Sequence, residues 1–342
     1  MKTNAQITAL LVIVMFVFSS CRELTVTTRV NRNGSFTRLI TVTGDSSEVL
    51  GTGFPFPVDE TWAKTVARDT AHGKNYIVQY SKSFRDSDQL NLMIAQDTSR
   101  YRYLDKTISV VKRPGFFYSY LTFKEVYKCA NPFHNLDYNR YISGDALRMA
   151  NGEEEVVTPA DSTYKKEAED KILTFLAESA CSELESITRQ GIKKINDPRL
   201  NRIDIGIYHD SLMAALDRSD FNKGRDVLGF YSKWTGTESF SRLDSLQPAL
   251  FQEFDNKIDR LDRIFELEGY TEEVEMPGLI TGTNSAALIG NRASWDFEVF
   301  TLFATDREFW IESRVINYWA FILSGIVLLG MIVLLAVKVA RK

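Results

Sequence analysis

The sequence predicts an α+β fold, in which an antiparallel sheet is built from N- and C-terminal strands, with an inserted helical hairpin, plus one C-terminal transmembrane helix. Three observations predict it. Both ends of the central chain, residues 24–42 and 270–303, carry the period-two alternation of strands. Between them, residues 135–268 turn to the 3.6-residue spacing of amphipathic helices with charged faces. Tyr318 to Val337 is a run of twenty residues without a charge. With 342 residues, 44% hydrophobic and 25% charged, the chain has enough apolar material for a core and too much to be disordered.

At the N-terminus, Lys2 precedes an apolar run from Ala9 to Phe18, and Ser19, Ser20 and Cys21 follow. This is the order of a secretory signal peptide over residues 1–20. Residues 17–21 read VFSSC, a lipobox-like sequence with Phe18 where Leu is usual, so Cys21 is the expected lipidation site of a bacterial lipoprotein. An uncleaved anchor is the alternative.

Leu24 to Val30 alternates, Asn33-Gly34 supplies a turn, and Phe36, Ile40 and Val42 resume the strand, which makes a β-hairpin. Asp59 is expected to cap a short helix through Trp62, Ala63 and Val66. Tyr76 to Tyr80 reads as a strand, and Ser87 opens a short helix carrying Leu90, Leu92 and Ile94. Tyr101 to Leu104 and Ile108 to Val111 look extended. Phe116 to Tyr127 is a long strand with aromatic rings on both faces; a core strand buried on both sides is preferred to a strand lining a ligand cavity.

Ser143 and Gly152 bracket a short helix, and Ala168, Ile172, Phe175, Ser179, Leu184 and Ile187 place an amphipathic helix over residues 162–190. Asp244 is expected to cap a second one, with Pro248 in its first turn and a stripe of Leu250, Phe254, Ile258, Leu261 and Phe265. The two would pack together as a helical insertion over about 135–268, in preference to a coiled coil with another chain. Strands return at Tyr270 to Glu275, Leu279 to Thr281 and, after a turn at Gly290-Asn291, Ser294 to Phe303, which leads toward the membrane. Because the first hairpin would also start beside the membrane at Cys21, the terminal β regions are expected to share one sheet.

At about 1.5 Å per residue, Tyr318 to Val337 matches the roughly 30 Å hydrocarbon core of a bilayer. Trp310, Tyr318 and Trp319 form an interfacial belt at one end, and Lys338, Arg341 and Lys342 mark residues 338–342 as a cytoplasmic tail. Residues 21–317 are then a periplasmic domain on the inner (cytoplasmic) membrane, tethered by an acylated Cys21 and by the helix. The chain has 41 Lys and Arg against 45 Asp and Glu, a balance unsuited to nucleic acid. Four of those bases (Lys2, Lys338, Arg341 and Lys342) lie outside the domain, leaving it a net charge of −8, which argues against broad adhesion to anionic lipid.

The stretch from Met276-Pro277-Gly278 to Asn284, with Gly290-Asn291, Ser294-Trp295-Asp296 and the Asn33-Gly34-Ser35 turn, resembles LppM-like lipoprotein domains, within an uncharacterised Bacteroidota-type lipoprotein family. The likeness covers about a quarter of the chain, and its motifs are turn and core residues. It implies an envelope lipoprotein with a ligand groove.

Motifs for chemistry are scarce. His72, His134 and His209 are far apart, the pair Cys129 and His134 is an incomplete ligand set, and Gly51-x-Gly53 lacks a third glycine. No serine-nucleophile elbow or phosphate loop is present, and nothing selects a working pair from the 45 carboxylates, Glu153-Glu154-Glu155 included. No catalytic, cofactor-binding or metal residue is therefore assigned, and the protein is expected not to be an enzyme. Cys129 and Cys181 are either a disulfide, closing a loop of about 52 residues, or two free thiols. Two functions remain: an envelope module binding an apolar or lipid-like ligand, or an interaction protein docking a membrane partner through its helical insertion.

Overall fold

The computed structural model describes residues 23–44, 56–68, 76–154, 158–217, 223–246, 250–267 and 269–341. The signal sequence, Cys21, Gly51-x-Gly53, His72 and Pro248 lie outside the described residues. Two sheets pack face to face. The larger has the order β3-β4-β2-β1-β7-β10-β9, formed by Ala63–Arg68, Tyr76–Phe84, Phe36–Gly44, Glu23–Val30, Tyr270–Glu275, Arg292–Phe297 and Ala287–Ile289. The smaller has the order β5-β6-β11-β8, from Lys106–Arg113, Tyr118–Tyr127, Arg307–Ile316 and Leu279–Thr283. Aromatic rings join the layers: Tyr127 lies 4.6 Å from Phe297, and Phe309 lies 5.4 Å from Trp295.

The N- and C-terminal strands do share the larger sheet, but that sheet is mixed, because β1 and β7 pair in parallel. A parallel neighbour needs a long crossover, and everything between the two strands supplies it. β8 departs into the second sheet beside β11. β11 escapes sequence reading because Arg307 and Ser313 occupy two of its five buried positions, interrupting the apolar alternation. The strand expected over 294–303 stops at Phe297, and Val299–Phe303 is a buried 3-10 turn. β6 has one buried face, of Ser119, Leu121, Phe123, Glu125 and Tyr127, so it is not the two-sided core strand expected.

Two local signals also resolve differently. Asp59 accepts a hydrogen bond from the Thr61 N–H (2.9 Å), an Asx turn leading into edge strand β3 where a helix was expected. Residues Arg100–Tyr103 form a 3-10 turn, not a strand. Helix α1, Ser87–Ala95, is capped by Asp86.

The helical insertion follows β6. Helix α2 (Gly144–Ala150) is capped by Ser143, and α3 (Pro159–Ile195) opens on a capping box of Thr158 and Asp161 and closes on left-handed Asn196. At 37 residues, α3 is about 55 Å long. Helices α4 (His209–Asp217) and α5 (Asp226–Thr235) were not expected, so the insertion is a bundle and not a hairpin. Helix α6 spans Gln252–Phe265, and Asp244 sits upstream in a 3-10 stretch. Lys257 of α6 reaches Glu183 of α3 at 2.5 Å, so the two predicted helices do meet.

Helix α7, Tyr318–Ala340, follows β11 after Asn317 and is long and apolar enough to cross a membrane, with a mean hydropathy of 2.9. Asn317 fastens its start to the β5–β6 tip: the side-chain amide donates to the Gly115 carbonyl (2.7 Å), and the backbone N–H donates to the Phe117 carbonyl (2.9 Å). The register then defines two poles. At the helix pole lie the β1–β2 tip around Gly34, the β5–β6 tip, the end of β11, the start of β8 and the β9–β10 turn. The helical insertion leaves from Tyr127 and returns at Tyr270, both at the far pole. So does β1: Glu23 pairs with Thr43, seven residues or about 23 Å of strand from the tip. Glu23 therefore stands at the pole opposite the start of α7, whereas the first hairpin was expected to begin on the same side as that helix.

Candidate functional site

Three places concentrate exposed apolar surface, buried charge or ligand-type side chains. The first is the helix pole. Phe116 (50% exposed), Phe117, Leu279, Leu288, Ile289 (84% exposed) and Ile316 come from separate turns and strand ends, and all face outward there. Phe116 stacks edge-on with Trp319 at 5.3 Å and Phe117 packs on Phe321 at 4.9 Å, so the rim continues into the first turn of α7. The tips Asn31–Ser35 and 112–117 hold Arg32, Lys112 and Arg113 and no carboxylate. Arg32 lies over the Tyr318 ring at 5.7 Å, and Arg113 pairs with Glu312. Basic residues thus collect at this pole although the domain as a whole is acidic.

The second is a charge network between the sheets. Arg38 of β2 donates to Glu125 of β6 (2.9 Å) and Glu272 of β7 (3.0 Å), with all three side chains fully buried. Its Nε and Nη1 have no hydrogen-bond partner, and the guanidinium carbon instead sits 3.8 Å from the centroid of Phe56. Lys106 lies over the same ring at 3.4 Å. Tyr127 donates to Glu125 at 2.5 Å and shares a hydrogen bond with Tyr270, while Thr28 donates to Glu272. Burial pushes the Lys106 ammonium down to about 7 despite Glu125, and burial raises the Glu272 carboxyl well above the usual range despite Arg38. Arg38, Glu125, Glu272 and Lys106 are all buried, so the network reads as the polar centre of the core.

The third lies on α3 and α4. Cys181 and Glu185 share one face of α3 with Glu178, and His209 opens α4 opposite them. His209 Nδ1 stands 2.8 Å from Glu185 Oε1 and 3.6 Å from Cys181 Sγ, while Nε2 stands 2.8 Å from Glu178 Oε2. Burial opposes charge on His209, but the two carboxylates outweigh it and raise the imidazole above its ordinary value. Burial, reinforced by Glu185 and Glu178, pushes the Cys181 thiol up to about 12. Cys181, Glu185 and His209 bring three ligand atoms within 4.8 Å of one another.

Of the residues singled out in the sequence, Cys129 and Cys181 are both free thiols, so the disulfide alternative is not realised. Cys129 is anchored through its backbone N–H to Asp306 (2.8 Å). Cys181 belongs instead with His209, a partner that sequence reading missed because it lies 28 residues downstream and no local spacing links them. A cleft of about 200 Å³ lies among Leu184, Leu216, Phe254 and Ile258, with Lys223, Asp255 and Asp259 at its polar side.

No protein-family model, curated protein or solved structure matches the chain.

Proposed function

We propose that this is a non-enzymatic, membrane-anchored envelope protein that seats its hairpin rim on the periplasmic face of the inner membrane and holds its helical insertion away from the bilayer for a partner protein. One observation carries the reading: exposed apolar residues from separate turns converge on the pole where α7 departs, with Arg32 and Lys112 between them to meet lipid phosphates. Helix, rim and basic tips together make one continuous anchor.

The far pole supports the second half. Ile207 (72% exposed) and Trp234 (51% exposed) stand outward on the helical insertion, and Trp234 packs near Tyr208 and Phe230. An apolar ligand is the weaker reading: the cleft beside Leu184 and Phe254, about 200 Å³, falls below the roughly 300–1,000 Å³ of small-molecule sites, and the larger hollows beside Arg225 (about 470 Å³), Glu23 (about 360 Å³) and Ala160 (about 580 Å³) lie more open to solvent. Acylation of Cys21 belongs to the proposal, with one change. Two residues of chain reach about 7 Å from Glu23, so a rim-seated domain carries that lipid at the pole remote from α7. The resemblance to LppM-like domains agrees with an envelope lipoprotein and supplies no ligand.

Photo-crosslinking in cells from position 207 or 234 tests the docking role, and one dominant protein neighbour is the expected product. A diffuse ladder from both positions, with a stoichiometric lipid in the purified protein, would favour the ligand reading instead. Palmitate-analogue labelling tests acylation separately, and label that persists in C21A refutes Cys21 as the site.

A further inference from the structure

Outside the anchor and the exposed aromatic patch, the α3–α4 cluster gathers ligand types of three kinds in one small volume. We infer that Cys181, Glu185 and His209 form a binding site for a zinc-class divalent cation, with Glu178 holding the histidine ring from behind. The ligand atoms are thiolate sulfur, imidazole nitrogen and carboxylate oxygen, the set that borderline-soft cations of this class prefer. Around a tetrahedral zinc, sulfur and nitrogen ligands stand about 3.5 Å apart. Cys181 Sγ and His209 Nδ1 already stand 3.6 Å apart. The 2.8 Å between His209 Nδ1 and Glu185 Oε1 is a hydrogen-bond length that opens by about half an ångström when a cation replaces the proton.

Glu178 makes the arrangement more than a cluster. Its carboxylate takes the Nε2 side of the ring at 2.8 Å, leaving Nδ1 to the cation, the carboxylate–histidine–metal relay that fixes tautomer and orientation in metal sites. A second observation points the same way. The Tyr231 hydroxyl is fully buried without a hydrogen-bond partner, and its ring packs 6.5 Å from that of Tyr208, the neighbour of His209. An unpartnered buried hydroxyl on α5, whose ring packs against the residue preceding His209, would suit a water held in the fourth coordination position. The His209 side chain is 32% exposed, which gives the cation a path in. Binding releases two protons to solvent, one from the Cys181 thiol and one from Nδ1 of the imidazolium.

The site has a structural consequence, because α3 and α4 would be joined by a cation. The test uses the full chain in detergent, stripped with a chelator and titrated with Zn²⁺ or Co²⁺. The site predicts one equivalent of Zn²⁺ retained per chain, a thermal midpoint that rises with Zn²⁺, and a sulfur-to-cobalt charge-transfer band with Co²⁺. All three should disappear in C181S and H209Q and survive in C129S, while E178Q weakens Zn²⁺ binding by about 10- to 100-fold. C181S with the metal-free midpoint of the native chain shows that the loss is of binding and not of folding; if it unfolds, E185Q carries the same comparison. No midpoint rise with Zn²⁺, or a cobalt band that persists in C181S, overturns the site.

Discussion

Arg38 shows how strongly a single residue can commit this fold. Its side chain is fully buried, and its two carboxylate partners come from β6 and β7, so it ties both sheets to β2. R38M should destabilise the protein by about 3–5 kcal/mol, because Glu125 and Glu272 would remain buried with less compensation. Thermal unfolding of the detergent-solubilised chain measures this, and R38M/E272Q should recover part of the loss, as coupled neighbours do. Lys106 gives the network a pH signature. Its folded-state value of about 7 lies below the 10.5 of an unfolded lysine, so between pH 7 and 9 the unfolded chain binds more protons and stability rises with pH. The slope for the native protein minus that for K106M should be positive, at most about 1.4 kcal/mol per pH unit; equal slopes would show that Lys106 stays charged. None of this was legible in the sequence. Arg38, Glu125 and Glu272 fall at inward strand positions, where alternation leads one to expect apolar side chains, and only the tertiary pairing explains them.

Elements were legible wherever one pattern dominated. The first hairpin, α3 and α7 follow from period and length; the stripe placed α3 at 162–190, and the Thr158–Asp161 box, not read from the sequence, starts it at Pro159 and lets it run to Ile195. T158A should cost about 1 kcal/mol, since it removes the hydroxyl that accepts from the Asp161 N–H while the Thr158 N–H can still donate to the Asp161 carboxylate. β3 and β11 were illegible for opposite reasons: an Asx turn imitates a helix cap, and buried Arg307 disguises a strand. Arg307 repays that position by donating to the Asn151 carbonyl (2.6 Å) and to Thr301 (3.1 Å), which locks the helical insertion to the sheets. Gly278 has the reverse history, recognised early as a backbone-freeing residue and found at φ +88, where a Cβ would collide with the Arg314 carbonyl. G278A should lower stability by about 1–3 kcal/mol by left-handed strain alone and loosen the β8–β11 pairing, visible as faster amide exchange over 279–283.

At the scale of the whole molecule, the decisive feature is polarity: helix, apolar rim and basic tips at one pole, helical insertion and the start of β1 at the other. Composition could not reveal it, since a net charge is blind to where Arg32 and Lys112 sit, and Leu279, Ile289 and Phe116 belong to turns far apart in the chain. The measurement that bears most directly on this account is spin-label accessibility in reconstituted vesicles, with labels at I289C and at I207C in a chain whose native cysteines other than Cys181 are replaced. Ile289 is 84% exposed and Ile207 is 72% exposed, so both sites accept a label without disturbing the core, while Cys181 is fully buried. Rim seating predicts that the label at 289 collides with lipid-dissolved oxygen and is shielded from a water-soluble relaxant, while the label at 207 behaves as fully aqueous. An aqueous response at 289 equal to that at 207 would contradict it, and would instead fit a domain whose strands lie along the bilayer or stand clear of it.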